Sequence, residues 1–127
     1  MKHLALLSLF ALFALTSLSA ADPVEVDAEK ATELLATDEK VTVLDIRTPE
    51  EFADGHLEEA VNIDFTGDDF ETQLAKLDPA KPYLVHCASG NRSGKSMPVF
   101  EKLKFTKIYH LKAGYKGWAA AGKPVVK

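Results

Sequence analysis

The sequence predicts an α/β domain whose sheet is mainly parallel and carries helices on both faces. Apolar and β-branched runs alternate with segments that favour helices, and strands separated by helices pair in parallel. The run at 41–46 is nearly all apolar, which is typical of a strand covered on both faces. A loop at 87–93 follows another run, and ligand sites in such sheets lie at the carboxyl ends of the strands.

Five runs are predicted to be strands, with helices between and after them. The predicted strands are 24–26, 41–46, 60–63, 83–86 and 107–111. Asp27 caps the first predicted helix, and another helix begins within 66–69. A helix also follows the loop at 87–93, and the last helix spans 114–121. The sequence contains no internal repeat and indicates a single domain.

The second helix has the clearest start of all the predicted helices. Thr48 is the predicted N-cap, Pro49 occupies the first helical position, and Glu51 completes a capping box. Gly55 is predicted to end this helix after little more than one turn.

The N-terminal segment has the pattern of a secretory signal peptide. Lys2 precedes an uncharged apolar run at 4–15, and small residues lead to Ala21. We therefore predict a signal peptide at 1–21, cleavage after Ala21, a domain at 22–127, and a periplasmic or secreted protein. A membrane anchor is the alternative, but the run is too short and too rich in serine to span a bilayer comfortably.

Charge and cysteine content narrow the choice of partners. The chain has 15 basic and 19 acidic residues, and removal of 1–21 takes away only Lys2, which leaves a net charge of −5. This surface does not favour binding to nucleic acid or to an anionic membrane. Cys87 is the only cysteine, so the chain cannot form an internal disulfide, and the thiol is either reactive or available for an intermolecular bond.

Cys87 opens a loop with C-x4-R spacing between a predicted strand and a predicted helix. Loop amides and a helix N-terminus at this position converge on an anion and lower the pKa of the thiol. Cys87 is therefore the predicted nucleophile. A cysteine phosphatase or an arsenate reductase that uses the same thiol is disfavoured, because a phosphatase loop is one residue longer. The residues predicted to bind substrate are Ala88, Ser89, Gly90, Asn91, Arg92 and Ser93.

Three segments of the chain together resemble the single-domain rhodanese, or thiosulfate sulfurtransferase-like, family. The first runs from Val43 to Ile63 and includes Asp45-Ile46-Arg47 and Gly55-His56-Leu57, the second is 87–93, and the third runs from 111 to 125 and includes Gly114 and Trp118. The resemblance implies a five-stranded parallel sheet and catalysis through a persulfide on Cys87. The sequence departs from the family pattern at Glu58-Glu59, at Ala113 and at Pro98. Pro98 is expected to kink the helix that follows the loop or to make it restart at Ser96.

The implied activity is transfer of sulfane sulfur from thiosulfate, or a similar donor, to a thiophilic acceptor such as cyanide or a thiol. Loop amides are expected to stabilise the negative charge, and Arg92 is expected to be the main fixed cation beside the donor. The alternative function is a persulfide carrier that delivers sulfur to a partner protein. A noncatalytic domain is disfavoured because Cys87 is present. No cofactor is predicted.

Other polar residues are predicted to have structural roles. His86 adjoins Cys87, but neighbours on a strand point to opposite faces, so His86 is predicted to be a packed and hydrogen-bonded residue rather than a base. His56 and His110 are also predicted to be structural. Arg47 is predicted to pair with Glu51, and no metal site is predicted, since no histidines or carboxylates have ligand spacing.

Overall fold

A computed structural model describes residues 22–37 and 39–127 of the chain. The predicted signal peptide at 1–21 lies outside the described residues. The described elements, in order, are β1 (Val24–Val26), α1 (Ala28–Leu35), β2 (Thr42–Asp45), α2 (Pro49–Asp54), β3 (Val61–Asn62), α3 (Phe70–Leu74), β4 (Pro82–His86), α4 (Asn91–Lys102), β5 (Lys107–Leu111) and α5 (Gly114–Ala120).

The five strands form one sheet in the order β1-β5-β4-β2-β3, and every neighbouring pair is parallel. This confirms the predicted α/β fold with a five-stranded parallel sheet. Strand β4 lies in the centre, between β5 and β2, and Cys87 follows its last residue. The cysteine therefore lies at the carboxyl edge of the sheet, where parallel α/β folds place their ligand sites.

The two faces of the sheet bury two separate apolar cores. One core contains Val85 and Cys87 and is covered by α3 and α4, which contribute Phe70 and Phe100. The other contains Leu84 and is covered by α1 and α5, including Trp118. Because side chains alternate along a strand, this division determines which residues of β4 and β5 share a face with the thiol.

Helix α2 begins as predicted. The hydroxyl of Thr48 accepts a hydrogen bond from the Glu51 amide at 3.3 Å, and the Thr48 amide donates to Oε1 of Glu51 at 3.3 Å. The helix ends at Gly55, whose φ of 153° is unfavourable for other residues. A six-residue helix of this kind has little intrinsic stability, so its capping box and its side-chain contacts position it.

Two predicted helix boundaries differ from the structure. Helix α3 begins at Phe70 rather than within 66–69, because the carboxylate of Asp64 accepts bonds from both the amide and the hydroxyl of Thr66 and holds a turn there. Helix α4 continues through Pro98 as one element, so a restart at Ser96, one of the two alternatives expected there, is wrong. The Ser96 hydroxyl instead donates to the Ser93 carbonyl at 2.6 Å.

Within the part of the chain that the structure describes, no helix is long and apolar enough to cross a membrane.

Candidate active site

The thiol of Cys87 lies at the centre of a ring of hydrogen-bond donors. Sγ accepts bonds from the amides of Gly90 at 3.2 Å and Ser93 at 3.3 Å, and the Ser93 hydroxyl lies 3.3 Å away. Burial raises the pKa of this thiol, but the Ser93 hydroxyl and the amides of Ser93, Ser89 and Gly90 outweigh burial, and the pKa lies below its ordinary value. The loop therefore favours a thiolate.

Gly90 allows the loop to curl around the sulfur. Its φ of 93° lies in the region that favours glycine, and it occupies the N-cap of α4. A Cβ at this position would overlap the carbonyl of Lys112, which follows β5. Both the backbone angle and the close approach to Lys112 require a residue without a side chain.

Helix α5 holds the other side of the loop. The amide of Tyr115 donates to the Cys87 carbonyl at 2.9 Å, and the amide of Lys116 donates to the Ala88 carbonyl at 3.0 Å. Gly114, with φ of 67°, permits this contact, since a Cβ there would overlap the carbonyl groups of Ala88 and Cys87. With the carbonyls bound to α5, the amides that follow in the loop are free to point at the sulfur.

Arg92 and Glu51 form an ion pair with two hydrogen bonds. Nη1 donates to Oε1 at 2.6 Å and Nη2 donates to Oε2 at 2.9 Å. The predicted pair between Arg47 and Glu51 is therefore wrong. The Arg92 guanidinium holds the pKa of the Glu51 carboxyl at about 2. The positive charge predicted to face the donor is thus shared with a carboxylate of α2.

Arg47 is bound by groups on the opposite face of the sheet from Cys87. Its Nη2 donates to the Asp45 carboxylate at 2.6 Å and to the Gly55 carbonyl at 2.7 Å, and its guanidinium lies 4.1 Å from the centre of the Tyr115 ring. Asp45 and Arg47 are both buried. These contacts connect β2 to α5 and to the C-terminal end of α2. Asp45 and Arg47 therefore have a structural role and hold these elements in place on the face of the sheet opposite the thiol.

His86 is buried on the same face as Asp45, and its ring lies away from the thiol, as predicted. Its Nδ1 lies 2.9 Å from the Cys87 carbonyl, which can only accept, so Nδ1 carries the proton. Its Nε2 lies 3.7 Å from Oδ2 of Asp45 and lacks a hydrogen-bond partner among the described residues. Burial lowers the pKa of His86, so the ring is neutral.

His110 occupies a position that the sequence-based prediction did not assign to the site. It lies on β5 and pairs in register with Val85, two residues before Cys87. Its buried Nε2 lies 2.7 Å from the hydroxyl of Ser93, the same hydroxyl that contacts Sγ. The alternation of side chains along β5 places His110 on the same face as Ile108 and the thiol. His56, by contrast, stacks on Phe52 and serves a structural role, as predicted.

Three other predicted substrate-binding residues are more exposed than Cys87. Ser89 is exposed and lines an open depression together with residues of β1 and the segment after β5, including Glu25 and Lys112. Ala88 is half-buried, and Asn91 is exposed at the first position of α4. Across residues 22–37 and 39–127, the structure contains no cluster of three or more histidine, cysteine, aspartate or glutamate residues that could hold a metal ion.

Comparison with known proteins places this fold and loop in one family. The rhodanese-like domain family matches residues 27–121. A sulfurtransferase of Allochromatium vinosum is 28% identical over 102 residues, which cover 80% of this chain and 94% of that protein. Thiosulfate sulfurtransferase 18 of Arabidopsis thaliana is 32% identical over 122 residues, which cover 87% of this chain and 88% of that protein. The crystal structure of a rhodanese-related protein from Thermoplasma volcanium superposes with a TM-score of 0.71 at 29% identity, over 81% of this chain and 97% of that one. The chain belongs to the rhodanese-like family.

Proposed function

We propose that this protein is a sulfurtransferase that moves sulfane sulfur from thiosulfate, or a similar donor, to a thiophilic acceptor through a persulfide on Cys87. The observation that carries the proposal is the ring of donors around Sγ, which lowers the pKa of a buried thiol at the carboxyl edge of the sheet. Relatives named as sulfurtransferases, one of them a thiosulfate sulfurtransferase, support the same chemistry.

The first step is attack of the Cys87 thiolate on the outer sulfur of thiosulfate. A sulfur–sulfur bond to Cys87 forms, the bond between the outer sulfur and the sulfonate breaks, and sulfite leaves with the electron pair. The amides of Gly90 and Ser93 already point at the anionic sulfur and do not have to reorganise during the reaction. Cys87 then carries a persulfide anion.

The second step returns the enzyme to its starting state. A nucleophile such as cyanide attacks the outer sulfur of the persulfide, the sulfur–sulfur bond breaks, and the electron pair returns to Cys87 as a thiolate. Two half-reactions through one covalent intermediate give ping-pong kinetics. The donors around Sγ remain engaged in both half-reactions, because Sγ is negative or partly negative throughout.

A persulfide carrier that delivers sulfur to a protein acceptor is the second candidate. It is favoured by the pairing of Arg92 with Glu51, since a guanidinium that is already bound recognises a small anionic donor less strongly. A strong dependence of the rate on a protein acceptor, with slow turnover of cyanide and small thiols, distinguishes the carrier from the enzyme.

The proposed place of action is the periplasm or the extracellular space. The basic, apolar and small-residue order of 1–21 supports this. In such a compartment the acceptor is expected to be a small nucleophile or an exported protein thiol. Once the leader has been removed, we expect no membrane partner for the domain.

The decisive experiment is intact mass spectrometry of purified residues 22–127 before and after exposure to thiosulfate. We expect a mass increase of one sulfur atom, reversed by cyanide with release of thiocyanate. Cys87→Ser is the matched control, because it keeps the size and a hydrogen-bonding group but has a far higher pKa. An unchanged mass in the wild type, or equal transfer by the Cys87→Ser variant, would reject the proposal.

A further inference from the structure

A continuous chain of hydrogen-bonding atoms leads from the thiol to His110. Sγ of Cys87 lies 3.3 Å from Oγ of Ser93, and this Oγ lies 2.7 Å from Nε2 of His110. The three residues come from the end of β4, the first turn of α4 and β5, and their exposed fractions are 1%, 0% and 5%. Three elements thus converge on one buried chain, at the atom that performs the proposed chemistry.

The direction of the hydrogen bonds between these three residues depends on whether Cys87 is a thiol or a thiolate. A hydroxyl has one proton, so when Ser93 donates to one neighbour it accepts from the other. Beside a thiolate, Ser93 donates to Sγ and accepts from a protonated Nε2. Beside a thiol, the S–H donates to Oγ and Ser93 donates to the free lone pair of Nε2. Both arrangements satisfy Sγ of Cys87, Oγ of Ser93 and Nε2 of His110, and they differ by the transfer of protons between these atoms.

We propose that His110 is the internal proton acceptor for the Cys87 thiol and acts through the hydroxyl of Ser93. The S–H bond breaks, its electron pair stays on sulfur, and the proton bonds to Oγ. The proton that Oγ held bonds to Nε2. The products are a thiolate and an imidazolium, and no other reactant is required. His110 is a positioning residue in this scheme, since Ser93 separates it from the sulfur.

The charges around His110 agree with the role of a neutral acceptor. Burial lowers the pKa of its imidazole, Glu25 on β1 opposes this effect, and Lys112 beyond β5 reinforces it. Before proton transfer the ring therefore favours its neutral form and offers a lone pair, and the thiolate formed on Cys87 offsets the cost of the buried imidazolium. On the other side of the chain, the loop amides stabilise the negative charge that remains on Cys87. Arg92 adds a favourable Coulomb interaction with Cys87.

A purely structural histidine would behave differently. Such a residue would keep one tautomer, with Nε2–H donating to Ser93, whether or not Cys87 is ionised. Glutamine can supply the same N–H donor, but it cannot take up a proton. His110→Gln is therefore a matched variant that preserves the hydrogen bond and removes only the acceptor function. Ser93→Ala interrupts the chain and keeps the Ser93 amide that contacts Sγ.

The first test follows the imidazole nitrogen chemical shifts of His110 by NMR while Cys87 is titrated. Nε2 should gain a proton as Cys87 ionises in the wild type, and this change should be absent in Cys87→Ala and in Ser93→Ala. A His110 ring whose Nε2 does not respond to the ionisation of Cys87 would overturn the proposal. The wild-type measurement decides this alone, even if a variant fails to fold.

The second test is the pH dependence of Cys87 alkylation by iodoacetamide. A coupled thiol and imidazole titrate as a pair, so the wild-type rate should rise in two steps. His110→Gln should show one step at higher pH and react about tenfold more slowly near neutral pH, which corresponds to one pKa unit. A His110→Gln profile identical to that of the wild type would refute the relay. The relay rests on the proposed role of Cys87 as the nucleophile. Neither test uses a sulfur donor, so failure of the relay can be distinguished from failure of the proposed sulfur transfer.

Discussion

The Arg92 guanidinium and the Glu51 carboxylate form a two-bonded ion pair that joins the first turn of α4 to the first turn of α2. Glu51 also completes the capping box with Thr48, so one carboxylate caps α2 and binds the arginine of the cysteine loop. Arg92 is separated from Glu51 by 41 positions in the sequence. The pair therefore couples the position of α2 to the loop that surrounds Cys87.

Substitution of Arg92 tests whether its guanidinium binds the sulfur donor while it is paired with Glu51. A charge-assisted hydrogen bond is worth about 1.5–3 kcal/mol, or roughly ten- to a hundredfold in kcat/KM. Because Glu51 shares the guanidinium, we expect Arg92→Ala to lower kcat/KM for thiosulfate by about tenfold, at the lower end of that range. Arg92→Lys should recover only part of the loss, since lysine lacks the planar fork.

Glu51→Gln is the control for this prediction. It keeps an oxygen that can bond to Thr48, but it releases the charge of Arg92. Its kcat/KM for thiosulfate should equal or exceed that of the wild type. If Arg92→Ala has wild-type kinetics and only a lower melting temperature, Arg92 has no role in binding the anion.

The same pair should be visible in the acid dependence of stability. The folded pKa of Glu51 is about 2, against an ordinary value of 4.5, so the pair stabilises the fold above pH 4.5, and this contribution is lost as the pH falls from 4.5 towards 2. Both side chains are partly exposed, at 24% and 34%, so we expect only about 1 kcal/mol. Urea unfolding of the wild type and Glu51→Gln should differ at neutral pH and converge near pH 2. A difference that persists in acid would assign the effect to α2 capping instead.

The parts of the fold that depend on short stretches of sequence could be predicted. The strand at Lys107–Leu111 and the capping box of α2 are determined by adjacent residues, and both agree with the structure. The start of α3 differs from the prediction because the Asp64 carboxylate binds the amide and the hydroxyl of Thr66. The sequence at 66–69 does not show whether Thr66 begins a helix or forms a turn with Asp64.

The parts of the site that depend on distant contacts could not be predicted. Arg47 and Glu51 are close in sequence, but Asp45 lies beside Arg47 and α4 brings Arg92 to Glu51, so the partner is chosen by the packing of helices. His110 was missed because its contact with Ser93 requires the order and register of β4 and β5. The sequence alone does not show that His110 and Cys87 share a face of the sheet, because this depends on the register of β4 and β5.

The N-terminus of the exported protein tests the proposed location. The apolar run at 4–15 and the small residues before Asp22 predict cleavage after Ala21, or one residue earlier. Expression of the full chain in a bacterial host, followed by N-terminal sequencing of the periplasmic fraction, should therefore give Asp22 or Ala21. Recovery of chains that still begin near Lys2 in that fraction would contradict the prediction.

Gly90 and Gly94 provide a matched pair of substitutions within the same loop and helix. Gly90 has φ of 93°, and a Cβ there would overlap the Lys112 carbonyl, whereas a Cβ at Gly94 would meet open space. Gly90→Ala should cost about 2 kcal/mol of unfolding free energy, because a non-glycine residue is strained in this conformation. It should also raise the pKa of Cys87, since the Gly90 amide would move away from Sγ.

Gly94→Ala should have the opposite effect on stability and leave the thiol unchanged. Alanine is favoured over glycine inside a helix by about 0.5–1 kcal/mol, and Gly94 lies in the first turns of α4. Urea unfolding gives the stability of both variants, and ultraviolet thiolate absorbance against pH gives the ionisation of Cys87. A Gly90→Ala variant with a wild-type thiolate titration would show that the Gly90 amide does not control the pKa of Cys87. The lowered pKa would then be due to the Ser93 hydroxyl and the amides of Ser93 and Ser89.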